Sequence, residues 1–237
     1  MPVALGKIAL GLASLVMAGK FLGEGAKHLS TANSPHFPTA PKSFGMGSLD
    51  KAFMNSGYVQ TGKGPMRMRS YRINNLDDRI RHLRRLVDEG KRDPAVYEFV
   101  RSAISKRCGD DWCIREKDNT GEARAIFDAI RQRVRYTSDI AGVDTYQKPA
   151  HTLALRSADC DDFSSLLCSA LLSAGIPCRF KVIRTVTGND WNHIYVQAGF
   201  PRAQPSKWVS LDASVPVRFG WEAPKHMIAD SRVFPVG

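Results

Sequence analysis

The chain has 237 residues, 43% hydrophobic and 24% charged, which is enough apolar material to bury one good core. Its formal net charge is +11, and its five cysteines, at 108, 113, 160, 168 and 178, form an odd set. A structural zinc site needs about four ligands, and the lack of a second closely spaced cysteine pair argues against one.

At the N-terminus, Ile8 to Gly19 is an apolar run bounded by Lys7 and Lys20, shorter than the roughly 20 residues that cross a bilayer. Three readings stay open for this helix, assigned to residues 1–30. It spans a membrane from Val3 to Leu22 with both lysines snorkelling, it is a signal peptide ending near Val16-Met17-Ala18, or it packs into an assembly through Gly19 and Gly23. Residues 31–70 carry Pro35, Pro38, Pro41, Gly45, Gly47, Gly57, Gly62 and Gly64 with little periodicity, and read as an extended arm. A helix on a long arm points to attachment of residues 1–65 to a larger protein assembly, with membrane contact as the other outcome.

Residues 71–118 read as a basic helical lead-in. Leu76, Ile80, Leu83 and Val87 share one face of a helix whose start holds Asp77 and Asp78, where the helix dipole favours acids. Asp93-Pro94 opens a second helix through about Ser105, and a third runs from about Gly121 to Arg135. From Lys63 to Arg135 there are 19 Lys/Arg against 12 Asp/Glu. That excess could meet an anionic polymer such as nucleic acid or cell wall, or an acidic protein; the interspersed acids and the lack of an aromatic ladder favour a solvated helix face over these. Cys108 and Cys113 bracket a polar turn, as a disulfide or as two thiols, and Asp110, Asp111, Glu116 and Asp118 around them resemble a solvated turn more than a metal loop.

Cys160 opens a run in which Phe163, Leu166, Leu167, Ala170, Leu171 and Ala174 recur at helical spacing, closed by Gly175 and Pro177. A cysteine in a first helical turn is either a buried structural residue or a nucleophile, since that turn favours the thiolate. Cys168 and Cys178 read as small core residues. Downstream, Ile194 and Val196 alternate with His193, Tyr195 and Gln197, while Val209 and Leu211 alternate with Trp208, Ser210 and Asp212, as in two half-buried strands. A hairpin folded symmetrically about Arg202 and Ala203 sets Asp212 directly opposite His193. Thiol, imidazole and carboxylate together can form a thiolate, orient the base and transfer an acyl group, with the Cys160 backbone N–H as an oxyanion donor.

Ser157-Ala158-Asp159-Cys160-Asp161-Asp162, the helix end Ala174-Gly175-Ile176-Pro177-Cys178-Arg179, Asn192-His193 and Leu211-Asp212-Ala213-Ser214 resemble the transglutaminase-like superfamily. Arg135-Tyr136, Asp139, Pro149 and Leu153 precede them in the same pattern, so that the resemblance covers about Thr120 to Val217. It departs from many members at Ala158, where they have Gly, and at Tyr146, where they have Trp. The resemblance implies an α+β, papain-like fold with a nucleophile helix on an antiparallel sheet, and makes Cys160 the nucleophile, His193 the base and Asp212 its orienter. Members hydrolyse peptide or amide bonds, cross-link Gln to Lys, or have lost activity. The basic lead-in also resembles members encoded by tailed phages and prophages, which implies a virion-associated protein, with membrane-associated or exported locations as alternatives.

The expectation is therefore a catalytic core over 119–237 and a thiol-dependent peptidase or amidase acting on a peptide or protein amide, without cofactor or metal. Hydrolysis is preferred because water needs no second substrate site. The competing expectations are a structural protein that uses the fold for docking and a cross-linking transglutaminase.

Overall fold

The computed structural model describes residues 58–61, 64–67, 72–139, 144–188 and 190–237. The apolar segment 1–30 and most of the arm lie outside these residues, together with the readings attached to them. No helix among the described residues is long and apolar enough to cross a membrane. Within the arm, β1 (Tyr58–Thr61) and β2 (Gly64–Arg67) pair antiparallel as a hairpin with Tyr58 opposite Arg67. The chain from Asn75 to Gly237 forms a separate compact unit.

That unit begins with three helices, each started by a side chain that accepts a free backbone N–H. Asn75 accepts from Asp78 at 2.9 Å before α1 (Leu76–Gly90), and Asp93 accepts from Ala95 at 2.9 Å before α2 (Pro94–Ile104). Asp118 accepts from Gly121 at 2.8 Å before α3 (Asn119–Arg133). Caps of this kind contribute about 1 kcal/mol each. The third helix starts two residues earlier than its spacing suggests, because Asp118 is the cap. Between α2 and α3, β3 (Arg107–Cys108) and β4 (Asp111–Trp112) make an exposed turn closed by the Cys108–Cys113 disulfide.

After α3, β5 (Arg135–Tyr136) runs parallel to β6 (Ser157–Ala158), with α4 (Pro149–Leu155) between them. Arg156, left-handed at φ 60°, ends α4 and turns the chain into β6. Next comes α5 (Cys160–Ser173), capped by Asp159, whose carboxylate accepts from Asp162 N–H at 3.0 Å. It closes as the sequence suggests: Gly175 adopts φ +72°, Ile176 N–H bonds to Leu171 O at 2.8 Å and Gly175 N–H to Leu172 O at 2.9 Å.

The apolar stripe of α5 is buried, and so are Asp161, Asp162, Ser164, Ser165 and Ser169. The helix is enclosed by α1, α2, α3 and α4 and by the sheet, instead of resting one face on a core. Of its buried hydroxyls, Ser169 donates within the helix to Ser165 O at 2.7 Å and Ser164 donates across to Ile194 O of the sheet at 3.1 Å. Cys168 and Cys178 are buried as expected of core residues, and in addition they are joined as a disulfide that ties α5 to the sheet; Cys160 is the free cysteine.

The sheet contains β7 (Cys178–Thr185), β8 (His193–Phe200), β9 (Lys207–Leu211) and β10 (Ile228–Val236), in the order β10-β7-β8-β9 and antiparallel throughout. Phe180, Val182, Ile194 and Val196 join the main core with α5. On the opposite face, Ile183 and Tyr195 pack with Trp221, Ala223 and Ile228, so the connection from β9 to β10 covers that side and β8 is buried on both faces.

Gly90 stands where α1, α4 and α5 meet. A Cβ there would lie 2.5 Å from Pro149 Cγ and 2.6 Å from Ser169 Oγ. Gly90→Ala adds about 0.8–1 kcal/mol of helix propensity, yet is expected to lower stability by about 1–3 kcal/mol through overpacking. The check is the urea midpoint at unchanged slope; an unchanged or higher midpoint refutes the close packing.

Candidate active site

Cys160 is the first residue of α5, and its lead-in is fixed by Arg135 N–H to Arg156 O at 2.9 Å and Thr137 N–H to Ala158 O at 2.8 Å. His193 opens β8. Asn192 just before it is clamped to β7, its Oδ1 accepting from Thr185 N–H at 3.0 Å and its Nδ2 donating to Thr185 Oγ1 at 2.8 Å. Asp212 follows β9. His193 Nε2 and Asp212 Oδ2 are 2.6 Å apart, with the side chains 6% and 3% exposed. Asp212 Oδ1 accepts from Ser214 Oγ at 2.7 Å and from its N–H at 3.2 Å.

The contact is made in a different register from the symmetric one. β8 pairs Val196 with Leu211 and Gln197 with Ser210, two residues away from the pairing that sets Asp212 opposite His193. The strands are joined by residues 201–206, whose midpoint falls one residue beyond the Arg202–Ala203 pivot. Asp212 therefore reaches His193 from a diagonal position. An even displacement keeps side chains on the same face, and diagonal neighbours lie within reach of a long side chain.

Cys160 and His193 line one cleft of about 220 Å³, together with Asp159, Asp161, Trp191, Asn192, Val182 and Ile194, and with Arg79 and Asp144. With Nε2 engaged by Asp212, Nδ1 is the imidazole nitrogen left for the thiol. Arg79 and Asp144 are residues that the sequence did not single out. Arg79 is one of several arginines along α1, and only the packing of α1 against α5 distinguishes it. Among the described residues no group of three or more His, Cys, Asp or Glu side chains is placed to hold a metal ion.

Burial pushes the Cys160 thiol pKa up, and the carboxylates of Asp161 and Asp159 add to this, while the Ile194 backbone N–H works in the opposite direction. For His193 burial alone would lower the pKa, but the charge and hydrogen bond of Asp212 outweigh it and the net shift is upward. Burial likewise raises Asp212, and the stronger pull of His193 and Ser214 leaves it below the usual carboxylate value. The site thus favours imidazolium beside carboxylate and opposes an isolated thiolate. A thiolate here needs the His193 cation as its counter-charge.

Three more carboxyls crowd the start of α5. Burial and Asp161 push Asp159 up to about 7; burial pushes Asp161 to about 6 against the pull of Arg79; burial and Asp159 push Asp162 to about 8. Asp162 Oδ1 also accepts from Gln147 N–H at 2.7 Å, which pins the segment leading to α4. These groups keep protons in the folded chain at pH values where an unfolded aspartate, near 3.8, has lost them. Their protonated forms therefore support the fold, and stability falls as pH rises from about 4 to about 8. Asp162→Asn stays neutral and keeps an acceptor for Gln147, so it is expected to reduce the fall in Tm between about pH 5 and about pH 8. A fall as steep as in the parent chain refutes this.

The transglutaminase-like superfamily profile matches residues 107–213. No curated protein matches the chain. Among solved structures the chain is similar to a candidate cysteine protease from Cytophaga hutchinsonii, at 18% identity and a TM-score of 0.39, covering 68% of this chain and 52% of that one. It is similar to a candidate protease from Parabacteroides distasonis at 14% identity and a TM-score of 0.39, covering 66% of this chain and 36% of that one. It is also similar to LapG from Legionella pneumophila at 15% identity and a TM-score of 0.41, covering 66% of this chain and 87% of LapG. The chain thus spans about half or less of the first two. Residues 107–213, with their Asp-Cys-Asp helix start, are thus a transglutaminase-like region that makes up a little under half of the chain.

Proposed function

We propose that the protein is a thiol-dependent acyl-transfer enzyme, a cysteine peptidase or amidase acting on a peptide or protein amide. The observation that carries this reading is the buried His193–Asp212 pair at 2.6 Å, beside the one free cysteine, with His193 and Cys160 lining the same cleft. A structural histidine needs no carboxylate partner next to a free thiol at a helix start.

In this reading Cys160 passes its proton to His193 Nδ1, and the sulfur attacks the amide carbonyl carbon. The oxyanion is met by the Cys160 backbone N–H, which as the first amide of α5 has no partner within the helix. The C–N bond then breaks as the imidazolium protonates the leaving amine, leaving a thioester on Cys160. A water gives its proton to His193 and adds to the thioester. Collapse of that adduct releases the carboxylic acid and returns the proton to sulfur. Asp212 holds the ring through Nε2 and favours the imidazolium formed in both halves. Hydrolysis is preferred to cross-linking because water requires no second binding site.

The test is alkylation by iodoacetamide at about pH 6, where an unperturbed thiol with pKa about 8.5 is almost wholly protonated. Cys160 is expected to react at least about tenfold faster than a free cysteine under these conditions. His193→Ala is expected to abolish that advantage, and Asp212→Asn to reduce it, with the circular dichroism spectrum retained. Cys160→Ala is expected to abolish amide hydrolysis. A Cys160 no more reactive than free cysteine, or one indifferent to His193→Ala, refutes the reading.

A further inference from the structure

The start of α5 presents an electrostatic problem that the triad does not solve. Cys160 is flanked on its own helix by Asp159 and Asp161, and both carboxylates act against a thiolate. Asp161 is 6% exposed, and its Oδ1 makes no hydrogen bond. Its charge is therefore offset through space alone. Among the described residues lining the cleft, Arg79 is the only cation that stays charged at every ordinary pH.

Arg79 reaches the cleft from α1, outside the superfamily match at 107–213. Its neighbours in the helix, Ile80 and Leu83, are buried in the core, so the guanidinium projects from a fixed base. Arg79 Nη2 lies 3.4 Å from Asp144 Oδ2, a long contact to a carboxylate that is 65% exposed. The groups facing Arg79 are Asp161 from α5, and Asp144 and Tyr146 from the segment between β5 and α4. Asp161 also faces Asp144, Asp139 and His193, and Cys160 faces Asp159, Asp161, Asp212 and Tyr136.

We propose that Arg79 is a positioning residue of the thiol site. It offsets the Asp161 carboxylate beside Cys160 and the Asp144 carboxylate that lines the same cleft, so that a thiolate can form there, and it makes the lead-in helix a working part of the catalytic unit. The inference deepens the thiol-enzyme reading and rests on it. Arg79 needs no contact with substrate for this role; its effect passes through the charge of Asp161.

The experiment measures the rate of Cys160 alkylation by iodoacetamide across pH in the full-length chain, following the mass of the Cys160 peptide. Arg79→Gln is expected to raise the midpoint by about 0.5–1 pH unit, since an opposite charge at 4–6 Å shifts a pKa by about 1–3 and Arg79 acts on Cys160 indirectly, through Asp161. Arg79→Lys, which keeps the charge, is expected to restore at least half of that shift. Asp144→Asn changes an exposed side chain, leaves α1 intact and removes negative charge, so it is expected to move the midpoint downward. An unmoved midpoint in Arg79→Gln, no rescue by Lys, or an upward shift in Asp144→Asn each overturns the proposal. The outcome is separable from the thiol-enzyme reading. That reading fails in the parent chain if Cys160 reacts like a free thiol, whereas the role of Arg79 is read from differences between midpoints, which stay measurable in either case.

Discussion

The enclosure of α5 is the constraint on which the rest of the structure depends. A helix buried around its whole circumference takes its polar side chains out of water, and this one carries Ser164, Ser165, Ser169, Asp161 and Asp162. Ser169 donates to Ser165 O within the helix, Ser164 donates to Ile194 O on β8, and Asp162 takes the Gln147 N–H. That last bond is how the helix start shapes the cleft: it holds the segment that brings Asp144 and Tyr146 toward Arg79. The same enclosure fixes the direction of the Cys160 side chain, because α5 has no freedom to roll against a single neighbour.

Within that frame the magnitudes decide what could stabilise a thiolate at Cys160. The helix dipole at an N-terminus contributes about 0.3–1 kcal/mol toward a negative charge. Burial and two adjacent carboxylates act against the thiolate, and the net direction at Cys160 is upward, so the dipole alone is insufficient. The imidazolium is the group that can reverse the balance, and its own stability comes from Asp212, which is held in turn by Ser214. The chain of support therefore runs from Ser214 through Asp212 and His193 to Cys160, with one end on the segment covering the outer sheet face and the other at the central helix.

Much of this was legible in the sequence, for identifiable reasons. The α5 stripe, the helix start at Cys160 and the Gly175 terminator are local signals, and each corresponds to a local interaction. The shared face of His193 and Asp212 was legible because side-chain direction in a strand depends only on parity, and parity survives the two-residue displacement of the hairpin. The register itself depends on where the loop begins, and Phe200 and Lys207 still pair before it opens. Enclosure of α5 was not legible, because its buried polar residues meet elements from distant parts of the chain. The Cys168–Cys178 bond was hidden for a related reason: two cysteines on an apolar stripe and a strand start look like core residues, and they are core residues as well. Arg79 left no local signal among the arginines of α1.

The boundary of the folding unit follows from the same packing. The superfamily match begins at residue 107, yet Ile80, Leu83, Leu86, Val87, Val96 and Val100 from α1 and α2 belong to the single core cluster that surrounds α5. Full burial of such side chains contributes about 1.5–3 kcal/mol each. Without α1 and α2, Ser169, Leu166 and the buried face of α4 would meet water, and the helix that carries Cys160 would lose the wall that fixes it. The basic lead-in is thus a structural layer of the unit that holds the Cys160 cleft, whatever its charged outer face contacts.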